Sequence, residues 1–383
     1  MMREKIFSTI DKLFDHYLKV WEDVCNIESP TDYKKGVDEV SAYFVNLASE
    51  FGWKVERFKQ EKAGDVVTIT MNEKADKAPL TLSGHLDTVF PLGTFGTPAV
   101  RVENGRMYGP GVKDCKGGVV AGFYAMHVLQ EIGFKDRPIR LALQTDEEVG
   151  SSVSEMQTIN HICEGAKGSV AFINLEGGDY GELCLVRKGI LTAEIEITGQ
   201  EAHSSKCAVR GANAIVDAAH KIIELDKFKD DNGLTCNCAI INGGTKTNIV
   251  AGKCNLNLNI RYATEEQYQK MLKYLQELVK IQHVRGCTSE LKIINRRPSM
   301  ELVDRNIKLL DTMNDIFAKY GLERLKLGRR TGGSDAAYVT VAGIPCVDSI
   351  GVKGDHIHSV KEYADIESFR DSVTRLAVVG YEI

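Results

Sequence analysis

No stretch of this 383-residue sequence reaches the ~18 consecutive apolar residues that a membrane-spanning helix needs. Nor is there a basic block of the kind that binds nucleic acid, or a long acidic tail; lysines and arginines are spread along the chain and the formal net charge is only -5. The first residues, Met1-Met2-Arg3-Glu4-Lys5, are followed by mixed polar and apolar positions rather than the uninterrupted apolar stretch of a secretory signal, so a cytoplasmic protein is expected. No CxxC pair occurs among the 10 cysteines; Cys236 and Cys238 form a lone CxC in an apolar run. In that compartment most are expected to be small buried side chains rather than disulfides. No fixed-period repeat or low-complexity tract is visible. These absences exclude membrane, nucleic-acid and disulfide-scaffold classes.

What is present is ordinary globular material, 43% apolar and 26% charged, in a chain long enough that two domains are the default. Helical stripes run through Ile6–Trp21 and Val37–Phe51, separated by Ser29-Pro30-Thr31. Short strands are predicted at Trp53–Phe58, Asp65–Met71 and Pro79–Ser83, then a helix at Gly117–Ile132 and buried strands at Ile139–Gln144 and Val170–Leu175. From about Lys188 the texture changes to alternating strands and two helices, ending with a strand at Glu290–Asn295. This reads as an α+β unit, residues 188–296, inserted into a larger domain made of 1–187 and 297–383. After Pro298 come a helix near Asn306–Tyr320, a strand near Pro345–Ile350 and a closing helix.

Three strands end in groups that bind cations. His85 and Asp87 follow the first, Glu147 and Glu148 the second and Glu176 the third, and open α/β sheets place ligands at such ends. Asp114 and the pair His356 and His358 belong with them by chemistry. Taken singly each has a plain reading: HxD as a hydrogen-bonded pair, and EE after a strand as a helix start favoured by the dipole. Together, carboxylates and imidazoles without thiolates suit zinc or a similar divalent ion. So many carboxylates favour two ions over one, since without cations they would repel each other.

The segments Ser83–Val89, Gly109–Gly118 and Thr145–Ser151 resemble the motifs of the dinuclear zinc aminoacylase/carboxypeptidase family, which includes acetylornithine deacetylases, succinyl-diaminopimelate desuccinylases, aminoacylases and glutamate carboxypeptidases. Leu175-Glu176-Gly177, Gly199–Ser204, Arg297-Pro298, Thr331–Tyr338 and His358-Ser359 are similar to segments of its bacterial folate-cleaving glutamate carboxypeptidases. The resemblance implies an α/β fold, a zinc-exopeptidase-like mixed sheet flanked by helices with an inserted α+β lid or dimerisation domain. It implies two Zn2+, replaceable by Co2+ or Mn2+, bridged by Asp114, with His85 and Glu176 on one ion and Glu148 and His358 on the other. Asp87 would orient His85, Glu147 would be the general base, and the Asp114–Cys115 peptide would be cis. His203 would donate to the oxyanion, and Arg297, Arg261, Asn248 and Gly333 would meet the substrate. A homodimer through the inserted domain is also implied.

The activity so implied is hydrolysis of an amide or peptide bond beside a free carboxylate, in a carboxypeptidase or dipeptidase that releases, for example, a C-terminal glutamate. The alternative is an N-acyl amino acid deacylase. A metal-loaded binding protein is disfavoured because a binder has no need of Glu147, and a dinuclear phosphoesterase because the motif order is peptidase-like. Cys115 departs from the Asp or Asn common in relatives and is expected to be a bystander.

Overall fold

Strands buried on both faces are rich in apolar residues, and four segments here have that character. In the computed structural model, which describes residues 2–383, they form the centre of a six-stranded sheet ordered Lys54–Phe58, Val66–Met71, Ile139–Gln144, Leu80–His85, Ala171–Asn174 and Cys346–Val347. The first strand pairs antiparallel with the second and the second with the third, and the last four are mutually parallel. Every residue of Leu80–His85 is buried, as helices on both sides of a parallel sheet require. Helices Met2–Asn26, Lys116–Glu131 and Ile366–Glu382 pack against one another. Lys116–Glu131 is buried on nearly every side, so it is apolar all round rather than striped. Tyr17 stacks on Tyr124 at 4.1 Å and Trp21 on Phe369 at 4.8 Å, contacts worth ~0.5–1.5 kcal/mol each beyond their buried area. The architecture is a mixed sheet flanked by helices, the class expected from the sequence.

One glycine brings the helix start to the sheet. A Cβ on Gly118 would lie 1.9 Å from the Leu175 carbonyl oxygen, so only glycine permits the helix beginning at Lys116 to approach the strand end. That approach delivers Asp114 to the carboxyl edge where His85 and Gln144 stand in register.

The chain divides into two compact units: residues 1–185, 302–329 and 334–383, and residues 186–301 with 330–333. The second contains an antiparallel sheet ordered Thr235–Gly243, Lys253–Tyr262, Gly189–Thr198 and Thr288–Arg297. Burial alternates strictly along Gly189–Thr198, where Leu191, Ala193, Ile195 and Ile197 enter the core with Leu256, Leu258 and Ile260. Helices Ala214–Leu225 and Glu265–Leu278 start at Asn213 and Thr264, whose side chains accept first-turn N–H groups. Asp217 and Lys221 form a fully buried pair at 2.6 Å; Lys221 also donates to the Ile281 carbonyl, and Asp217 accepts the Val284 N–H at 2.9 Å.

The strand expected at Pro345–Ile350 is only Cys346–Val347 long, because Asp348 turns to accept from Asn174 Nδ2 at 3.1 Å and Ser349 adopts a left-handed φ of 68°. Helix Gln157–Ala166 and the short ribbons Arg101–Glu103, Arg106–Tyr108 and Tyr363–Asp365 are additional to the elements read from the sequence. All ten cysteines are free and seven are buried. Among the described residues, no helix is long and apolar enough to cross a membrane.

Candidate metal centre

His85 is the last residue of its strand and 1% exposed. Its Nδ1 lies 3.0 Å from the Asp87 carbonyl and 3.3 Å from Asp87 Oδ1, which makes Nδ1 the protonated nitrogen and turns the Nε2 lone pair outward. Nε2 stands 3.1 Å from Asp114 Oδ1 and 3.7 Å from Glu176 Oε1. On the other side, His358 Nε2 stands 3.2 Å from Asp114 Oδ2 and 3.1 Å from Glu148 Oε2. Asp114 therefore turns one oxygen toward His85 and Glu176 and the other toward His358 and Glu148.

These separations fit a divalent ion in each half. Ligand atoms ~2.0–2.1 Å from one tetrahedral zinc lie ~3.3 Å from each other, close to the spacings found. The donor chemistry agrees, with only imidazole nitrogen and carboxylate oxygen in the four ligand pairs.

Asp87 does more than orient His85. Its Oδ1 accepts the Glu147 N–H and its Oδ2 the Glu148 N–H, both at 3.2 Å, and Thr31 Oγ1 donates to Oδ2 at 2.7 Å. One buried carboxylate thus fixes the His85 ring and the backbone of the Glu147-Glu148 turn. Glu147 itself is 6% exposed. The Asp114–Cys115 peptide is cis, as the family resemblance implies.

The cluster's electrostatics are those of acids awaiting counterions. Burial would raise the Asp114 carboxyl, but hydrogen bonds and charge from His358 and His85 hold it well below the carboxylate range. Donating to the Asp114 and Glu148 carboxylates pushes the His358 imidazole up to about 10. Burial would lower His85, yet its hydrogen bonds to the Asp114 and Asp87 carboxylates raise it well above its ordinary value. Burial pushes Glu148 up to about 7. Protons on the imidazoles occupy the role that cations would take.

Cys115 is buried beside the centre and its Sγ accepts the His85 N–H at 3.2 Å. Burial pushes its thiol up to about 12, so it carries no thiolate at neutral pH and is a poor target for oxidants. His356 packs its ring toward Tyr363 at 6.1 Å, whereas His358 faces the acids.

The remaining sequence-predicted residues belong to the second unit. Arg297 is buried, and a Cβ on Gly333 would lie 2.6 Å from its Cδ, so the glycine admits the arginine stem. Arg261 donates to Asn259 at 3.1 Å; burial and the like charge of Arg297 lower its proton affinity. His203 caps the short helix Ser204–Lys206 through Nδ1, and the Ser204 N–H donates to the Asn248 carbonyl at 2.9 Å. The structure thus brings Arg261, Arg297 and Gly333 together, and His203 beside Asn248. Two contributors were missed in the sequence. Thr31 lies in the Ser29-Pro30-Thr31 break and Glu362 lies four residues after His358, so proximity to a recognised motif was the only available signal.

The sequence profile of peptidase family M20/M25/M40 matches residues 81–379. Carboxypeptidase G2 of Pseudomonas sp. (strain RS-16) is 30% identical over 359 residues, covering 92% of this chain and 85% of its own length. The fold is shared with aminopeptidase PepT of Bacillus cereus (TM-score 0.80, 20% identity, 96% and 98% of the two chains). It is also shared with the YXEP protein of Bacillus subtilis, a dinuclear metal binding peptidase (TM-score 0.73, 16% identity, 97% and 99%).

Proposed function

Because this chain belongs to peptidase family M20/M25/M40 and is a metal-dependent hydrolase of that kind, we propose that it cleaves an amide or peptide bond adjacent to a free carboxylate, using two zinc ions. The observation that carries this reading is the division of Asp114, one oxygen facing His85 and Glu176 and the other His358 and Glu148.

When bound, two divalent ions would polarise the scissile carbonyl and lower the pKa of the attacking water. In this proposal Asp87 keeps His85 in the tautomer that presents Nε2 and holds the Glu147 backbone in place. Glu147 takes the proton from the attacking water and passes it to the departing amine nitrogen, so no charge is left on the leaving group. His203 of the second unit donates to the developing oxyanion. Arg297 and Arg261, with Asn248 and Gly333, receive the free carboxylate, for which a guanidinium's parallel N–H pairs are suited. The 30% identity to carboxypeptidase G2 supports a carboxypeptidase over a deacylase. Ten unpaired cysteines support a cytoplasmic location.

The test is a panel of C-terminal glutamyl peptides, dipeptides and N-acyl amino acids with zinc, cobalt or manganese, run on wild type and Glu147→Gln. Hydrolysis of the peptides by wild type is expected, with kcat falling about 100- to 10,000-fold in the variant at unchanged metal content. Unchanged activity in Glu147→Gln excludes this mechanism, and exclusive turnover of acetyl or succinyl substrates replaces the carboxypeptidase reading with deacylation.

A further inference from the structure

Three of the proposed ligands follow strand ends of the sheet, but Asp114 and His358 stand on loops from distant parts of the chain. His358 is the less anchored, with its side chain 53% exposed and its backbone at a φ of 60°. A half-exposed ligand on a loop would sample many positions unless something ordered it. The ordering begins where Arg106–Tyr108 pairs antiparallel with Tyr363–Asp365, matching Tyr108 to Tyr363. From there one strand leads forward to Asp114 and the other leads back to His358.

Glu362 occupies the fork. Its carbonyl accepts the Gly109 N–H at 3.3 Å, continuing the ladder by one bond, and its own N–H donates to the Ser359 carbonyl at 2.9 Å, closing the turn after His358. Its side chain, on a residue 1% exposed, then collects the other loop: Oε1 accepts the N–H groups of Lys113 at 2.9 Å and Asp114 at 3.1 Å, and Oε2 that of Gly111 at 3.3 Å. A single carboxyl group satisfies three N–H groups of the Asp114 loop while its backbone closes the His358 turn.

We propose that Glu362 is a positioning residue that holds the Asp114 and His358 loops at the spacing a shared ion needs, and so sets the affinity of the Glu148–His358 half of the centre. The inference rests on the two-ion reading above. Glu362 acts through the backbone N–H of Asp114. Its removal leaves three buried donors without their acceptor, and they can re-pair only if the loop moves. The loop carrying His358 would then lose its link to the bridging aspartate.

The test titrates metal-stripped wild type and Glu362→Gln with Zn2+ by calorimetry and compares their unfolding midpoints before and after loading. The glutamine keeps the length of the side chain but replaces one acceptor oxygen with a donor. The expected result is an affinity of the weaker site reduced by about 10- to 100-fold, in the range typical for groups that orient ligands. The zinc-induced rise in midpoint should shrink while saturating zinc restores kcat at unchanged KM. Wild-type affinity per folded molecule, whatever the metal-free midpoint, overturns the proposal. Should the Gln variant not fold, Glu362→Asp, which retains both acceptors one methylene further back, is titrated in the same way; an undiminished affinity there overturns it equally. A wild-type chain that takes up two ions yet cleaves no amide sinks the functional reading and leaves this one standing.

Discussion

The two units bury charge in opposite ways. In the second, Asp217 and Lys221 neutralise each other, and both are further satisfied by the Val284 N–H and the Ile281 carbonyl. In the first, Asp87, Asp114, Glu148 and Glu176 crowd around two imidazoles whose proton affinities are raised to compensate. A balanced buried pair, once closed, serves the fold. An unbalanced cluster is expensive to bury and persists where cations complete it.

The contrast can be broken most forcefully at the balanced pair. Asp217→Asn leaves Lys221 buried and charged, and is expected to destabilise the second unit by about 3–5 kcal/mol in denaturant unfolding. Metal uptake per folded molecule should not change. The pH dependence has a definite sign. Burial pushes Asp217 up, but the Lys221 hydrogen bond, the Val284 N–H and the Lys221 charge outweigh it, so its folded-state proton affinity lies below the ordinary value of 3.8. The pair's contribution is therefore complete above that value and is lost as pH falls through the lower, folded-state one. Wild type and variant should converge in strongly acidic solution. A variant as stable as wild type at neutral pH would show that this pair contributes nothing.

A smaller effect concerns surface rather than core. Strand Thr235–Gly243 is an edge without a charged side chain, and Ile240 (53%) and Ile241 (48%) are exposed on it. Ile215, Val216 and Ile223 add a second, outward apolar stripe to helix Ala214–Leu225. The opposite edge, Thr288–Arg297, carries Glu290, Lys292 and Arg296, charges of the kind that block edge pairing, beside the exposed Ile293 and Ile294. A charge-free edge with exposed isoleucines suits the homodimer through the second unit that the family resemblance implies. Ile240→Lys should shift sedimentation from dimer toward monomer without altering zinc content; a wild type that is monomeric at all concentrations removes the dimer from the account.

Much of the fold was legible because its signals are local. Ile139–Gln144 was bounded to the residue by its apolar run, and most helices to within a few residues, since burial on one or all sides writes itself into hydropathy. The strand at Cys346–Val347 was overextended because what ends it, the Asp348–Asn174 hydrogen bond, lies far off in sequence. The site divides in the same way. Groups next to strand ends, such as His85 and Glu148, announced themselves by position. The approach of His358 to Asp114 depends on a three-residue ribbon with no hydropathy signature, and Glu362 acts through backbone N–H groups that no motif records. Residues that work through the main chain are the hardest to see from side-chain identity.

In the proposed reading Asp114 joins two cation sites in the first unit. The most direct test is a zinc titration of metal-stripped protein, with bound metal counted by elemental analysis, for wild type and Asp114→Asn. Two ions per chain are predicted for wild type, taken up with release of the protons that His85 and His358 hold, so that affinity rises with pH. Asp114→Asn should lose both ions at concentrations that saturate wild type. One ion or none in wild type, or two retained in Asp114→Asn, would contradict the account.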